Sequence, residues 1–234
     1  MDDELTWRSG FKDVLPTIFG YIGIGLAFGI IAKAGHFSVL AAVLMSLIVY
    51  AGSAQFVMVS MLAAGSPIGA IVLSTALINA RMALMSMTVA PLLQEESMLQ
   101  NITAGTLLTD ETFALTMNKL NHTGHTLHSR WLHAANIAAY LVWAGATLAG
   151  AMLGQLIPNP ADLGLDFAVV AMFIGLLYLQ IITDRTHPRR RQVGLAVFVA
   201  ALMVVLMRFM PGNLAILAAT VIGCLGGMAV KHRD

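Results

Sequence analysis

The sequence predicts an all-α fold, a polytopic transmembrane bundle of about seven spans, or about eight if one polar segment also crosses. Two observations carry this. Apolar residues make up 58% of the chain and charged residues 11%, with a mean hydropathy of +0.81, far from the roughly half-apolar, quarter-charged balance of soluble domains. Windows of about 20 residues without charge, enough as helix to span about 30 Å of hydrocarbon, recur from Val14 almost to the C-terminus.

The first expected span covers 14–34. Arg8 and Lys12 precede it as in a signal peptide, but another apolar run follows at once, so it reads as a retained helix. Further spans are expected over 38–63, 67–93, 131–157, 164–183, 193–209 and 212–230. Turn residues separate them: Gly65, Ser66 and Pro67, then Pro158, Asn159 and Pro160, then Pro211, Gly212 and Asn213. Trp7 and Trp131 fall where interfacial rings are expected. Spans and turns use nearly every residue, so 1–234 reads as a single integral membrane domain with no room for a separate catalytic one.

The segment 94–130 is the polar exception, carrying Glu95, Glu96, Asp110, Glu111, Lys119 and Arg130. Its middle, LLTDETFALTM, predicts a short amphipathic helix with Thr109 as N-cap and Asp110 and Glu111 in the first turn. At a constant offset Gly25, Gly29 and Gln55 match Gly150, Gly154 and Gln180, which makes 14–93 and 131–230 candidate repeat halves joined by 94–130. A non-crossing linker gives about seven spans, inverted halves and an outside N-terminus; a crossing linker gives about eight and an inside N-terminus. The cost of Asp110 and Glu111 in lipid favours the first. In either arrangement Arg185, Arg189, Arg190, Arg191, Lys231 and Arg233 face the cytoplasm.

Three glycine pairs spaced four apart, in GLAFG from Gly25, GAMLG from Gly150 and GCLGG from Gly223, allow close helix contacts within the chain or with another subunit. In AGSAQF, Gly52, Ser53 and Gln55 interrupt an apolar stretch. A locally unwound helix there offers N–H groups to a carboxylate and carbonyls or the Gln55 amide to an ammonium group; alternatively Gln55 only bonds a neighbouring helix. Asn79 and Arg81 lie in the third span, about 200° apart around an ideal helix. An unpaired Arg81 would cost about 2.5–3.5 kcal/mol even on a lenient scale, so it must snorkel, face water or pair, with Asp110 or Glu111 as partners.

His122, His125 and His128 recur every third residue, but Gly124 and the want of a carboxylate or Cys partner point to a hydrated loop rather than a metal site. Cys224, the single cysteine, precludes an intrachain disulfide and reads as a packing residue. No cofactor is expected, and the missing glycine-rich phosphate loop argues against transport driven by the chain's own ATP hydrolysis. The arginine cluster beside a span is a topology signal, not a nucleic-acid site.

AGSAQF, the NARM stretch at Asn79 to Met82 and LLTDETFAL, in that order, resemble the AzlC-type family, the large subunit of branched-chain amino-acid exporters. The likeness runs from FGIIA in the first span to the final helices. Ser53 occupies a variable small position of the family pattern, and Met82 stands where a His is common. The resemblance implies export of valine, leucine, isoleucine or other hydrophobic amino acids with a separately encoded AzlD-type small membrane subunit. The expected mechanism is secondary transport driven by protons. Gly52, Ser53, Gln55, Asn79 and Arg81 are the expected substrate contacts, and Asp110 and Glu111 the proton-responsive groups. A passive small-solute channel and a non-transporting membrane scaffold are the competing readings; an enzyme is not expected, since no nucleophile, base and oxyanion donors assemble from these motifs.

Overall fold

The computed structural model describes residues 5–124, 126–157, 167–183 and 188–210, with part of 215–227. Regular elements among them are all helical: α1 (Trp7–Ala34), α2 (Val39–Ile48), α3 (Gly52–Ala63), α4 (Ile68–Val89), α5 (Met98–Thr106), α6 (Asp110–Leu120), α7 (Ser129–Leu153), α8 (Ala168–Thr183) and α9 (Arg189–Leu206). Short 3-10 turns extend α4 to Leu93 and α7 to Leu156. The chain divides into two compact units, Met1–Leu176 and Leu177–Asp234. Three helices, Trp7–Ala34, Ile68–Leu93 and Ser129–Leu156, are long and apolar enough to cross a membrane. They match the spans expected over 14–34, 67–93 and 131–157. Most of 212–230, together with His125, Arg185, Cys224, Lys231, Arg233 and the Gln180 side chain, lies outside the described residues.

The first unit is organised by α1 and α7, which run parallel. Gly10 abuts the Trp131 backbone and Ala134, Gly25 abuts Ala146, Gly29 meets the backbone between Thr147 and Ala151, and Gly154 abuts Ile30 and Lys33. Partner numbers rise together, which fixes the direction. GLAFG and GAMLG are therefore contact surfaces within this chain, where the absence of Cβ lets two backbones touch. The parallel course also corrects the inverted relation expected between the two glycine-bearing spans.

The span expected over 38–63 is not one crossing but two half-helices folded back on each other. Going from α2 to its tip, contacts with α7 move toward the N-terminal end of that helix. Ser46 and Thr147 hydroxyls are 2.8 Å apart, and then Tyr140 donates to the Leu47 carbonyl at 2.8 Å. At Tyr50 φ is +42°, and α3 returns: Gly52 lies under the Trp143 ring and Phe56 packs on Phe28 with ring centroids 5.3 Å apart. Gln55 Nε2 donates to Ser46 Oγ at 2.9 Å. Nine residues along a straight helix would separate these groups by about 13 Å, so this bond requires the reversal.

Beyond α3, α4 runs back alongside it and continues to the N-terminal end of α1 and α7. There Leu93 and Val89 share a buried cluster with Leu127, Trp131 and Leu132. The polar segment 94–130 then forms a second hairpin from that end. Along α5, Thr103 meets His133 at 2.8 Å and the Ala104 carbonyl accepts from Asn136 at 3.1 Å, so α5 enters in the same direction as α7. After Leu107–Thr109, α6 returns, from Tyr21 near its start to Asp13 near its end, where Lys119 Nζ lies 2.9 Å from Asp13 Oδ2. The segment thus starts and ends at the same end of the unit. Its helix at Asp110–Leu120 follows the sequence expectation, Thr109 forming a capping box with Thr112; α5 was not foreseen. Trp131 is fully buried within the protein and donates to Asp13 at 3.0 Å.

Glu96 closes the mouth of this hairpin by accepting from the Ser129 N–H at 3.2 Å. That bond to Ser129 holds its carboxyl below the ordinary glutamate range, against a smaller opposing effect of burial. A lowered folded pKa contributes stability above the unfolded glutamate pKa and loses it as pH falls through the folded value. Because Glu96 is only half-buried and screened by solvent, Glu96→Gln is expected to cost at most about 0.5 kcal/mol at neutral pH. The cost disappears in acid, as thermal unfolding of both proteins in detergent across pH would reveal.

In the second unit, a Cβ at Gly223 would lie 2.7 Å from Val199 and one at Gly227 3.3 Å from Leu195, so GCLGG packs on α9.

Candidate functional site

The two hairpin tips meet about halfway along α1 and α7. Tyr50, Gly52 and Ser53 come from one tip, Thr109, Asp110 and Glu111 from the other, and Tyr21, Met82 and Trp143 from α1, α4 and α7 complete a small cleft of about 20 Å³, room for roughly one water. Each tip presents a helix N-terminus. That of α6 is capped by Thr109 and carries two carboxylates, whereas that of α3 has no side-chain cap, so its first-turn N–H groups remain available to an anion.

Arg81 ties the tips together. Its Nη2 lies 2.8 Å from Asp110 Oδ2 and donates to Ser53 Oγ at 2.7 Å. Of the ways an arginine here could be accommodated, pairing is the one adopted, with Asp110 as partner. Glu111 Oε2 accepts from the Tyr21 hydroxyl at 2.9 Å, and Tyr21 shares a second hydrogen bond with Thr109 Oγ1. Tyr50 is buried and lines the cleft, and its hydroxyl has no hydrogen-bond partner among the described residues. Its left-handed backbone is unusual for a bulky residue and is the kind of strain that gathers at functional sites.

Gln55 sits one turn behind the cleft in a fully buried network. It accepts from Trp143 Nε1 at 3.1 Å and donates to Ser46, which bonds Thr147. Its contacts are with neighbouring helices, and they hold the hairpin shut on itself. Gln55→Leu leaves the Trp143 N–H without its acceptor and Ser46 with only its bond to Thr147, so a loss of about 2 kcal/mol is expected, readable as a lowered unfolding temperature. Asn79 does not line the cleft; its Oδ1 is buried without a hydrogen-bond partner among the described residues. Of the residues singled out from sequence, the fold therefore assembles Gly52, Ser53, Arg81, Asp110 and Glu111, with Gln55 as support and Asn79 apart. Tyr21, Tyr50 and Trp143 were missed. An aromatic in an apolar span looks like ordinary core, and only the positive φ and the tip contacts mark these three. Among the described residues no group of His, Cys, Asp and Glu is arranged to hold a metal ion.

Residues 16–157 match the AzlC protein family, a stretch that begins in α1, ends with α7 and contains both hairpins. The chain belongs to the AzlC family. It is 32% identical to the inner membrane protein YgaZ of Escherichia coli (strain K12), over 94% of this chain and 89% of that protein. It is 25% identical to the branched-chain amino acid transport protein AzlC of Bacillus subtilis (strain 168), over 84% of this chain and 76% of the relative. An uncharacterized membrane protein of Helicobacter pylori (strain J99) is 27% identical over 82% of this chain and 84% of its own length. No solved structure matches. With its apolar helices, this AzlC family member is an integral membrane protein.

Proposed function

We propose that this AzlC family protein is the large subunit of a two-component permease of the cytoplasmic membrane. It exports branched-chain or other hydrophobic amino acids, such as valine, leucine and isoleucine, at the expense of the proton gradient. The observation that carries the reading is the convergence, at half depth, of two half-helix N-termini with one arginine between them. Half-helix N-termini at the midplane are the usual way a transporter binds a small anionic group. The uncapped start of α3 and Arg81 suit a carboxylate, Asp110 and Glu111 suit an ammonium group, and Tyr21, Met82 and Trp143 offer an aliphatic side chain an apolar wall. The printed function of the Bacillus subtilis relative supports the same substrate class.

The cleft is far smaller than an amino acid, so the tips must part for a substrate to enter. Because the hairpins come from opposite ends of the unit, parting one and then the other gives alternating access. An AzlD-type small subunit is the expected partner, and the thinly buried apolar surface of α4, in which Ile68, Leu84 and Met87 are exposed, offers such a subunit room. The crossing count that goes with this reading is about six rather than about seven: α1, α4 and α7, then 168–183, 189–206 and 212–230. That count places Arg8, Lys12, Lys119 and Arg130 together at one end of the first unit, the cytoplasmic one by the positive-inside rule.

Purified protein, with and without its small subunit, reconstituted with labelled valine, methionine and an unrelated solute, tests the reading. Expected are valine counterflow and valine accumulation that follows an imposed proton gradient. Flux that only follows the substrate gradient would establish a channel, and no flux with the small subunit present would establish a scaffold.

A further inference from the structure

We propose that the two adjacent carboxylates divide the work: Asp110 stays charged as the fixed counter-ion of Arg81, while Glu111 takes up and releases the coupled proton. This rests on the transport reading above. Asp110 is 2.8 Å from Arg81 Nη2, and the same nitrogen reaches Ser53 on the other hairpin. Protonating Asp110 would remove the charge that Arg81 meets at 2.8 Å and would loosen the only salt bridge among the described residues that joins α4 to α6. A group in that position does poorly as a proton carrier, because each protonation would also break the hairpin contact.

Glu111 is placed differently. It makes no ion pair among the described residues, and its side-chain contact is with a neutral hydroxyl. Tyr21 stands between Glu111 and Thr109 and has hydrogen bonds to both. With Glu111 ionised, Tyr21 donates to the carboxylate and accepts from Thr109. With Glu111 protonated, the new O–H donates to Tyr21, which donates onward to Thr109. The chain survives in both states with its polarity reversed, which an ion pair cannot do. The groups facing Glu111 are Tyr21 from α1, Tyr50 from the opposite tip, Trp143 from α7 and, on its own helix, Asp110, whose charge Arg81 already meets. Glu111 lines the cleft, so in the transport cycle a water reaching the cleft from one face delivers the proton and a water reaching it from the other removes it. No other bond is made or broken.

Infrared difference spectra of the purified protein in lipid, titrated with acid and without any amino acid, test the assignment. A carboxylic-acid C=O band is expected that vanishes in Glu111→Gln, persists in Asp110→Asn and shifts in frequency in Tyr21→Phe. In proteoliposomes, the ratio of gradient-driven valine uptake to valine counterflow is expected to fall about ten-fold in Glu111→Gln, within the span of ordinary coupling free energies. A band lost in Asp110→Asn, or one retained in Glu111→Gln, or an unchanged ratio in Glu111→Gln, overturns the division. Should the wild type move no amino acid, the transport reading fails while the infrared comparison still decides which carboxyl carries the proton.

Discussion

Arg81→Ala is expected to abolish valine counterflow and gradient-driven uptake together, and to lower unfolding stability by about 2 kcal/mol, between the values for exposed and buried pairs because the pair is only partly buried. The salt bridge to Asp110 and the bond to Ser53 share one nitrogen, so a single truncation releases both hairpin tips and leaves the Asp110 carboxylate without a cation. Arg81→Lys recovers little, since a lysine carries its charge on one atom at the end of a flexible stem. Arg81→Ala combined with Asp110→Ala is the informative partner. Removing both charges recovers stability relative to Arg81→Ala alone, because the desolvated carboxylate has gone, but it does not recover transport. Circular dichroism melts in detergent, with uptake assays, read both quantities. Recovery of transport in the double variant would mean that Arg81 has only a structural task.

Gly150→Leu and Gly29→Leu are expected to yield little folded protein. The nearest atoms to a Cβ at either position are backbone, not a side chain that could swing aside, and even Gly29→Ala is expected to cost more than about 3 kcal/mol. The same two helices supply the control. A Cβ at Gly20, Gly23 or Gly145 meets nothing within 4 Å, so alanine at those sites is expected to be neutral or to gain about 0.5 kcal/mol from helix propensity. Yield after membrane extraction and unfolding temperature, compared across these glycines, separate close approach from a general intolerance to substitution.

Chemical identity was legible without coordinates. Arg81 is anomalous because a charge in an apolar run demands a partner, and Thr109 announces a helix start because its hydroxyl, followed by two acidic residues, suits an N-terminus. AGSAQF is readable as a weak point because glycine, serine and an amide are poorly suited to lipid. Direction was not legible. Residues 38–63 and 94–130 each have the length of a crossing, and neither hydropathy nor turn residues distinguish a helix that continues from one that reverses. The reversal is set by the tertiary bond from Gln55 to Ser46 and by Trp143 lying over Gly52. The parallel course of α1 and α7 was hidden for the same reason, because small-residue spacing marks a contact surface without saying which helix meets it or which way it points.

The sequence by itself determined a membrane-embedded helical protein of the AzlC type and several of the polar groups that the fold brings to the cleft, because transfer free energies act residue by residue and leave their mark on composition and spacing. The tertiary structure alone decided that two hairpins enter from opposite ends, that Arg81 pairs with Asp110, and that Tyr21, Tyr50 and Trp143 join the site. Those outcomes depend on contacts between residues far apart in the chain, and nothing local encodes them.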